Sequence, residues 1–336
     1  MKRDIPPPFE GHTFLKCPPA TIEDVVPGVA AVIGVPFDAT KLSRLGAKDG
    51  PQAIREATFV FAFLMDATPG GFVDLDRDLR FERAAEMKLL DLGNVPAIPV
   101  DVEGTSQRVS DQVAAVVHRG GFPVVLGGDH FVAYPSMRGF AQGIRRVHPG
   151  VRMGYVHVDM HLDLTDHVPY WGKYTSGSPA RRISEIDGID STKMVFVGIS
   201  GPQPNDDVEF VRRSGVRVIP LSRIKREGVK AVAQRVQDLL VDCDRVYMSI
   251  DIDVVDRTFA PGTGNAVTMG GLMPGELLEL VQWLRELPLG VIDIMEVAPN
   301  WDPTGRTQAL AATALIETLR PRIFKVSLAD TRGLTR

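Results

Sequence analysis

The stretch YVHVDMHLD, residues 155–163, ends with Asp159, His161 and Asp163 at every second position. A second stretch, VYMSIDIDVVD, sets Asp251 and Asp253 in the same alternation. VVLGGDH ends in Asp129 and His130, and VIDIMEVAP carries Glu296. Each stretch begins as an apolar run of strand character. Alternate residues of a strand share a face, so the motifs are expected to aim acids and imidazoles at one spot.

Buried carboxylates crowded together cost several kcal/mol each when unpaired, roughly, and they repel one another. Divalent cations remove that conflict. Four Asp and two His are too many donors for one four-coordinate zinc, but they suit two ions bridged by shared carboxylates. No Cys joins them, so Mn²⁺ fits best, while Ni²⁺ and Fe²⁺ also accept these donors. Two ions about 3.5–4 Å apart would lower the pKa of a shared water enough to supply hydroxide near neutral pH. A lone D-x-H or D-x-D is weak and is often a cap or a turn pair; the coincidence of several strand ends is the signal. His157 is expected to be a core histidine with satisfied hydrogen bonds, not a seventh ligand.

The elements that must position these residues alternate in type along the chain. AAVIGVPF, MKLLDLGNV, FPVVLGG, VRMGYVHVD, KMVFVGI, VRVIPL, RVYMSID and GVIDIMEV read as strands. GPQAIREATFVFAFL, GTSQRVSDQVAAVVHRG, YPSMRGFAQGIRRV, REGVKAVAQRVQDLLVD, PGELLELVQWLREL and TQALAATALIETLR read as helices. Such alternation predicts a parallel sheet covered on both faces, with ligands beyond the carboxyl ends of the strands. Residues 1–28 are Pro-rich and are expected to form an irregular N-terminal arm. Residues 29–336 show no break in composition and no internal repeat, and are expected to form a single α/β domain.

Composition excludes several classes. The chain has 336 residues and a net charge of -4, with no long Lys or Arg run, so neither nucleic acid nor an acidic membrane surface is an expected partner. No apolar run is long enough to span a membrane. MKRDIPPPFE lacks the apolar stretch of a secretory signal, so the expected compartment is the cytoplasm. Cys17 and Cys243 lie far apart and form no metal or redox motif.

VIGVPFD, GAKDGPQAIREA, LGGDH, VDMHLD, SIDIDVVDRTFAPGTG, GGLMPGE and MEVAP follow, in order, the signatures of the arginase/agmatinase (ureohydrolase) family, and the chain resembles that family over roughly residues 30–325. The resemblance implies a three-layer α/β/α sandwich with a central, mostly parallel eight-stranded sheet. It implies two divalent ions, Mn²⁺ with Ni²⁺ as the alternative, and a homo-oligomer, trimer or hexamer. Carried over by position, the metal ligands are His130, Asp159, His161, Asp163, Asp251 and Asp253, with two of the carboxylates bridging. Glu296 matches the acid that pairs with a substrate guanidinium. Asp163 and Asp253 would handle protons, and the reaction would be hydrolysis of a C–N bond in a small cationic guanidino or amidine substrate, giving urea or a substituted urea and an amine. Guanidinobutyrate, agmatine, guanidine and substituted guanidines or biguanides are the candidates.

One loop departs from the agmatinase-type pattern. KYTSGSPARR sets Ser176 where those members carry a His, and Ser cannot exchange a proton near neutral pH. The loop is similar to the SGTP pattern of formimidoylglutamase, so a formimino substrate is an alternative, with Ser176 and Ser178 in the substrate site. A weakly active or inactive subunit partnering an active paralogue, in a hetero-oligomer, is a third reading. His167 is either a replacement proton relay, if its loop folds back, or an exposed loop residue. Trp171 and Tyr174 either stack on a planar cation or pack the loop. Phe131, where many relatives carry Ser, either makes the pocket floor more apolar or simply packs. The charged stretch DATPGGFVDLDRDLRFERA is expected to be a solvated excursion or a rim.

Overall fold

The structure is a computed structural model that describes residues 12–68, 70–84, 88–265 and 270–329. Strand β1 (Ala30–Gly34) is followed by helices α1 (Gly50–Ala57) and α2 (Phe59–Ala67), a hairpin of β2 (Phe72–Asp74) and β3 (Leu79–Arg83), and β4 (Leu89–Asn94). Then come α3 (Val102–His118), β5 (Phe122–Leu126), α4 (Ala133–Val147), β6 (Met153–Val158), α5 (Pro179–Ser184) and β7 (Met194–Ile199). The second half runs α6 (Asn205–Ser214), β8 (Arg217–Pro220), α7 (Leu221–Glu227), α8 (Val229–Leu239) and β9 (Arg245–Asp251). It closes with α9 (Pro274–Leu284), β10 (Leu289–Met295), α10 (Arg306–Ile323) and β11 (Phe324–Leu328).

Eight strands form one sheet in the order β4-β1-β5-β10-β9-β6-β7-β8, and every pairing in it is parallel. Its strands read as continuous apolar runs because both faces are covered. Val156 and Val158 of β6 point into a core shared with α1, α8, α9 and α10. Tyr155, one residue before Val156, points to the opposite core, shared with α3, α4 and α5. Burying one such side chain contributes about 1.5–3 kcal/mol, so a charge at Val156 would break the layer. The chain reverses its direction of travel across the sheet after β4 and again after β8, and β9 and β10 then return to fill the gap between β5 and β6, where the outward and returning parts of the chain meet. That switch point is where a crevice opens beyond the strand ends.

Several expectations need correction. The stretch expected as one helix over residues 50–64 is two helices meeting at Thr58, whose hydroxyl donates to the carbonyl of Arg55 while accepting from the backbone N–H of Leu15. The helix expected after Arg226 begins only at Val229, because Gly228 (φ 85) separates α7 from α8. Short helices α5 and α6 lie in segments without an assigned element. The charged excursion is ordered: β2 and β3 pair antiparallel, and β3 also pairs antiparallel with β11 in a second, three-stranded sheet. Its alternation, with Asp78 (φ 53) in the turn, is hairpin character beneath a charged surface. The lead-in is irregular, with single 3-10 turns at Phe14–Lys16 and Ile22–Asp24, and Phe14, Leu15 and Cys17 are buried in the main core. Residues 1–11 of the arm lie outside the described residues. No helix among the described residues is long and apolar enough to cross a membrane.

Candidate metal centre and active site

Four neighbouring strands, β5, β10, β9 and β6, bring His130, Glu296, the Asp251/Asp253 pair and the Asp159–Asp163 run to one edge of the sheet. The presentation is not by strand alternation. β6 ends at Val158, and beyond it Asp159 Oδ1 accepts the backbone N–H of His161 at 2.6 Å. At the end of β9, Asp251 Oδ1 accepts the N–H of Asp253 at 2.8 Å. Both D-x-[HD] motifs are therefore Asx turns, in which an aspartate closes its own turn and throws residues i and i+2 to one side. Asp163 (φ 50) and Glu296 (φ 66) sit in the left-handed region, which a non-glycine residue occupies at a cost and which clusters at functional sites.

His130 Nδ1 lies 2.9 Å from Asp159 Oδ2, 2.9 Å from Asp163 Oδ2 and 3.1 Å from Asp251 Oδ2. His161 Nδ1 lies 3.3 Å from Asp159 Oδ1 and 3.2 Å from Asp253 Oδ2. Two donor sets result, His130/His157/Asp159/Asp163 and His161/Asp159/Asp253, and Asp159 belongs to both. A carboxylate shared by two sets is what two adjacent cations require. Asp251 joins the first set through its approach to His130. Although the contacts are short, His130 Nδ1, Asp159 Oδ2 and Asp253 Oδ1 are buried without a hydrogen-bond partner of acceptable direction. Burial raises the pKa of Asp251 well above the usual range, and the charges of Asp253 and Asp159 push it further. This self-repelling set of hard and borderline donors suits divalent metal ions.

A second tier holds the rings. His130 Nε2 lies 3.0 Å from Ser249 Oγ, which donates to Asp293 Oδ1 at 2.7 Å, while Tyr247 donates its phenol to Asp293 Oδ2. With Nε2–H donating to Ser249, the Nδ1 lone pair is free for a metal, the usual outer-shell control of a ligating histidine. Burial pushes the Asp293 carboxyl up to about 6, against the opposing pull of His130, Tyr247 and Ser249. His157 is fully buried and stacks on His130 with ring centroids 4.9 Å apart. Its Nδ1 meets Tyr155 Oη at 3.0 Å, and its Nε2 lies 3.2 Å from the carbonyl of His161 and 3.1 Å from Asp159 Oδ2. Both nitrogens are thus engaged, although the ring belongs to the immediate surround of the first donor set. Asn265 Nδ2 lies 3.1 Å from His161 Nε2.

Lys41, in the loop after β1, is a site residue that the sequence reading missed. Its Nζ lies 2.6 Å from Glu296 Oε2, and both side chains are buried. Glu296 Oε1 accepts the backbone N–H of His130 at 2.9 Å. Burial works against the lysine charge, but Glu296, Asp251 and Asp253 outweigh it and raise the pKa. The loop is pinned on both sides of Lys41. Asp129 Oδ2 accepts from Thr40 N at 3.0 Å and Thr40 Oγ1 at 2.7 Å, and Ser43 Oγ donates to the Gly264 carbonyl at 2.7 Å. Burial, with the charge of Glu296, pushes Asp129 up to about 8, partly countered by Thr40. A Cβ on Gly264 would stand 2.4 Å from Lys41 Cε and 2.7 Å from Glu296 Oε2, so only glycine leaves room for the pair.

The loop over residues 165–179 does other work than expected. Ser176 is buried; its N–H donates to the Thr40 carbonyl at 3.0 Å and its hydroxyl accepts from Leu42 N at 3.4 Å, so it anchors the Lys41 loop. Ser178 spends its hydroxyl on Thr175 and the Lys173 carbonyl, within its own loop. Tyr174 packs in an aromatic cluster with Phe131 and Tyr134, which supports packing for both Tyr174 and Phe131. Trp171 is 55% exposed. His167 is exposed, and its charge is felt by Asp166, itself bound to Arg182. Among the described residues no hydrogen bond or ion pair joins His167 to the carboxylate cluster, so the loop does not fold back as a relay would require.

A doubly covered parallel sheet with paired His/Asp donor sets at its carboxyl edge defines a metal-dependent α/β hydrolase. The model of the arginase family matches residues 29–320, and the chain belongs to that family, the ureohydrolases. It is 33% identical over 332 residues to guanidinopropionase of Pseudomonas aeruginosa, covering 95% of this chain and 96% of that protein. It is 34% identical over 283 residues to proclavaminate amidinohydrolase of Streptomyces clavuligerus, covering 83% of each. The solved structure of that amidinohydrolase superposes with a TM-score of 0.76 at 29% identity, over 93% of this chain and 97% of the other.

Proposed function

We propose that this protein is a binuclear-metal amidinohydrolase that cleaves a C–N bond of a guanidino-type compound. The carrying observation is the pair of donor sets sharing Asp159, next to the buried carboxylate of Glu296. His130, Asp159, His161, Asp163, Asp251 and Asp253 would hold two divalent ions, Mn²⁺ or Ni²⁺ by donor chemistry. Bound there, such ions would supply hydroxide near neutral pH and stabilise negative charge developing on the substrate. Glu296 would orient the amidine by accepting an N–H from it. Asp253 keeps a buried Oδ1 without a hydrogen-bond partner, which can take a proton and return it to the departing nitrogen. Water adds across the C–N bond, giving urea or a substituted urea and an amine.

Relatives that act on guanidinopropionate and proclavaminate-type guanidines support a guanidino substrate with a tail, and guanidinobutyrate, agmatine, guanidine and biguanides complete the panel. The SGSP sequence of the loop, residues 176–179, motivates one second reading, a formimino substrate. The protein is read as a trimeric or hexameric homo-oligomer, or as one partner of a hetero-oligomer with a paralogue. It is assigned to the cytoplasm, where the buried free thiols Cys17 and Cys243 stay reduced. The test is elemental analysis of the purified protein followed by urea and ammonia assays across this panel. Release from at least one guanidino compound is expected. Formamide from N-formimino-glutamate instead would support the second reading. With two metals bound, silence on every substrate, alone and mixed with a paralogue, would overturn the hydrolase reading.

A further inference from the structure

We propose that Lys41 sets substrate specificity: its ammonium, seated on Glu296 at the rim of the metal cluster, stands where a substrate cation would stand, and so selects amidines whose reacting group is uncharged. This inference rests on the amidinohydrolase reading and narrows its substrate class.

A guanidinium is recognised by two parallel N–H groups on the two oxygens of one carboxylate. At Glu296 that seat is taken. Oε1 accepts the His130 N–H at 2.9 Å, and Oε2 faces Lys41 Nζ at 2.6 Å. A cation arriving at this carboxylate meets a fixed positive charge beside it in a buried site, where like charges are poorly screened. Lys41 is not a side chain in free motion. Its neighbours Thr40 and Leu42 are held by Asp129 and Ser176, and Gly264 packs against its Cε. The side chain itself is 7% exposed.

An uncharged amidine fits the pair well. Its N–H donates to the free lone pair of Glu296, and its imino or nitrile nitrogen accepts from Lys41. Guanidines carrying a strongly electron-withdrawing cyano group are of this kind, because that substituent removes the basicity of the amidine. Simple alkylguanidines are cations at neutral pH and are not. Ser176 shares in this arrangement as a positioning residue, because its hydroxyl and N–H hold the loop that carries Lys41.

The experiment compares wild type with Lys41→Met and Lys41→Arg, each loaded with Mn²⁺ or Ni²⁺ and checked for metal content and folding. Binding of methylguanidinium and of cyanoguanidine is measured by calorimetry, and urea or ammonia release is measured in parallel. Wild type is expected to bind cyanoguanidine at least tenfold tighter than methylguanidinium. Lys41→Met should tighten methylguanidinium binding at least tenfold and lower the cyanoguanidine-to-methylguanidine ratio of kcat/KM by a similar factor. Lys41→Arg should keep the wild-type order. Wild-type binding that favours methylguanidinium overturns the proposal, whether or not Lys41→Met folds. So does a Lys41→Met protein with an unchanged ratio. If no compound is hydrolysed the function reading fails, while the binding order still decides the role of Lys41.

Discussion

Replacing Asp251 by Asn tests whether the carboxylate cluster is organised for cations. Asp251 Oδ2 and Asp159 Oδ2 lie 3.1 and 2.9 Å from the same nitrogen, His130 Nδ1, and so stand within about 6 Å of each other. At that spacing, with an effective dielectric of about 20, two unit charges repel by about 3 kcal/mol. In the metal-free protein Asp251→Asn removes this repulsion and keeps the turn, because the Asn amide oxygen still accepts the Asp253 N–H. The variant should therefore melt higher than wild type without metal, by up to about 4 °C for a chain of this length. The gain has a pH signature. The folded-state pKa of Asp251 is raised, so folded wild type holds a proton that the unfolded chain releases, and its metal-free stability falls as pH rises above the ordinary carboxylate range. Asn has no such slope, so the difference should widen with pH. Metal reverses the order: an ion at about 1,000 times its Kd stabilises wild type by about 4 kcal/mol, and the variant should lose most of that. Differential scanning calorimetry with and without Mn²⁺ at several pH values reads both effects. An Asn variant that is no more stable without metal, or that keeps the full metal-induced shift, would refute the reasoning.

Ser249→Ala removes the acceptor that fixes the His130 tautomer and should weaken metal binding by about 10–100-fold, read by competitive chelator titration, while the fold persists by circular dichroism. Apparent metal affinity should fall as pH is lowered, because Asp251 and the histidine rings must shed protons to ligate; equilibrium dialysis across pH measures it. Gly264→Ala should displace Lys41 from Glu296 and cut kcat/KM with the metal content unchanged by elemental analysis, since the new Cβ also meets the Arg44 carbonyl at 2.9 Å and backbone cannot yield as a side chain does. Ser176→His should loosen the Lys41 loop rather than install a relay; an unchanged loop and a new pH-rate limb near the histidine pKa would count against that view.

The donors of the cluster were legible because their signals are local. An Asp two residues before a His or Asp, at the end of an apolar run, needs only a turn to become a chelating pair. Even there the mechanism differed, since Asx turns and not strand pleating aim Asp159 and Asp251. The eight-stranded sheet was legible from its apolar runs. The β2–β3 hairpin was masked by surface charge on a short element whose third strand, β11, comes from the far end of the chain. Lys41 was illegible for the same reason. Nothing in KLSRLG says that this ammonium crosses to an acid beyond β10, because the contact is fixed by Asp129, Ser176 and Gly264, each on a different loop.

The Asx turns also bear on ion selectivity. Asp251 commits Oδ1 to a turn N–H and leaves Oδ2 for ligation, while Asp159 turns Oδ2 to the first donor set and Oδ1, also held by a turn N–H, to the second, so neither is arranged to chelate one ion with both oxygens. Calcium favours seven or so oxygens in roomy, adaptable cages, often with a two-toothed carboxylate. Single-toothed acids held stiffly beside imidazole nitrogens disfavour so large and oxygen-loving an ion and favour smaller first-row metals. An excess of calcium in the surroundings should thus compete poorly, since discrimination is written into how the backbone uses half of each carboxylate.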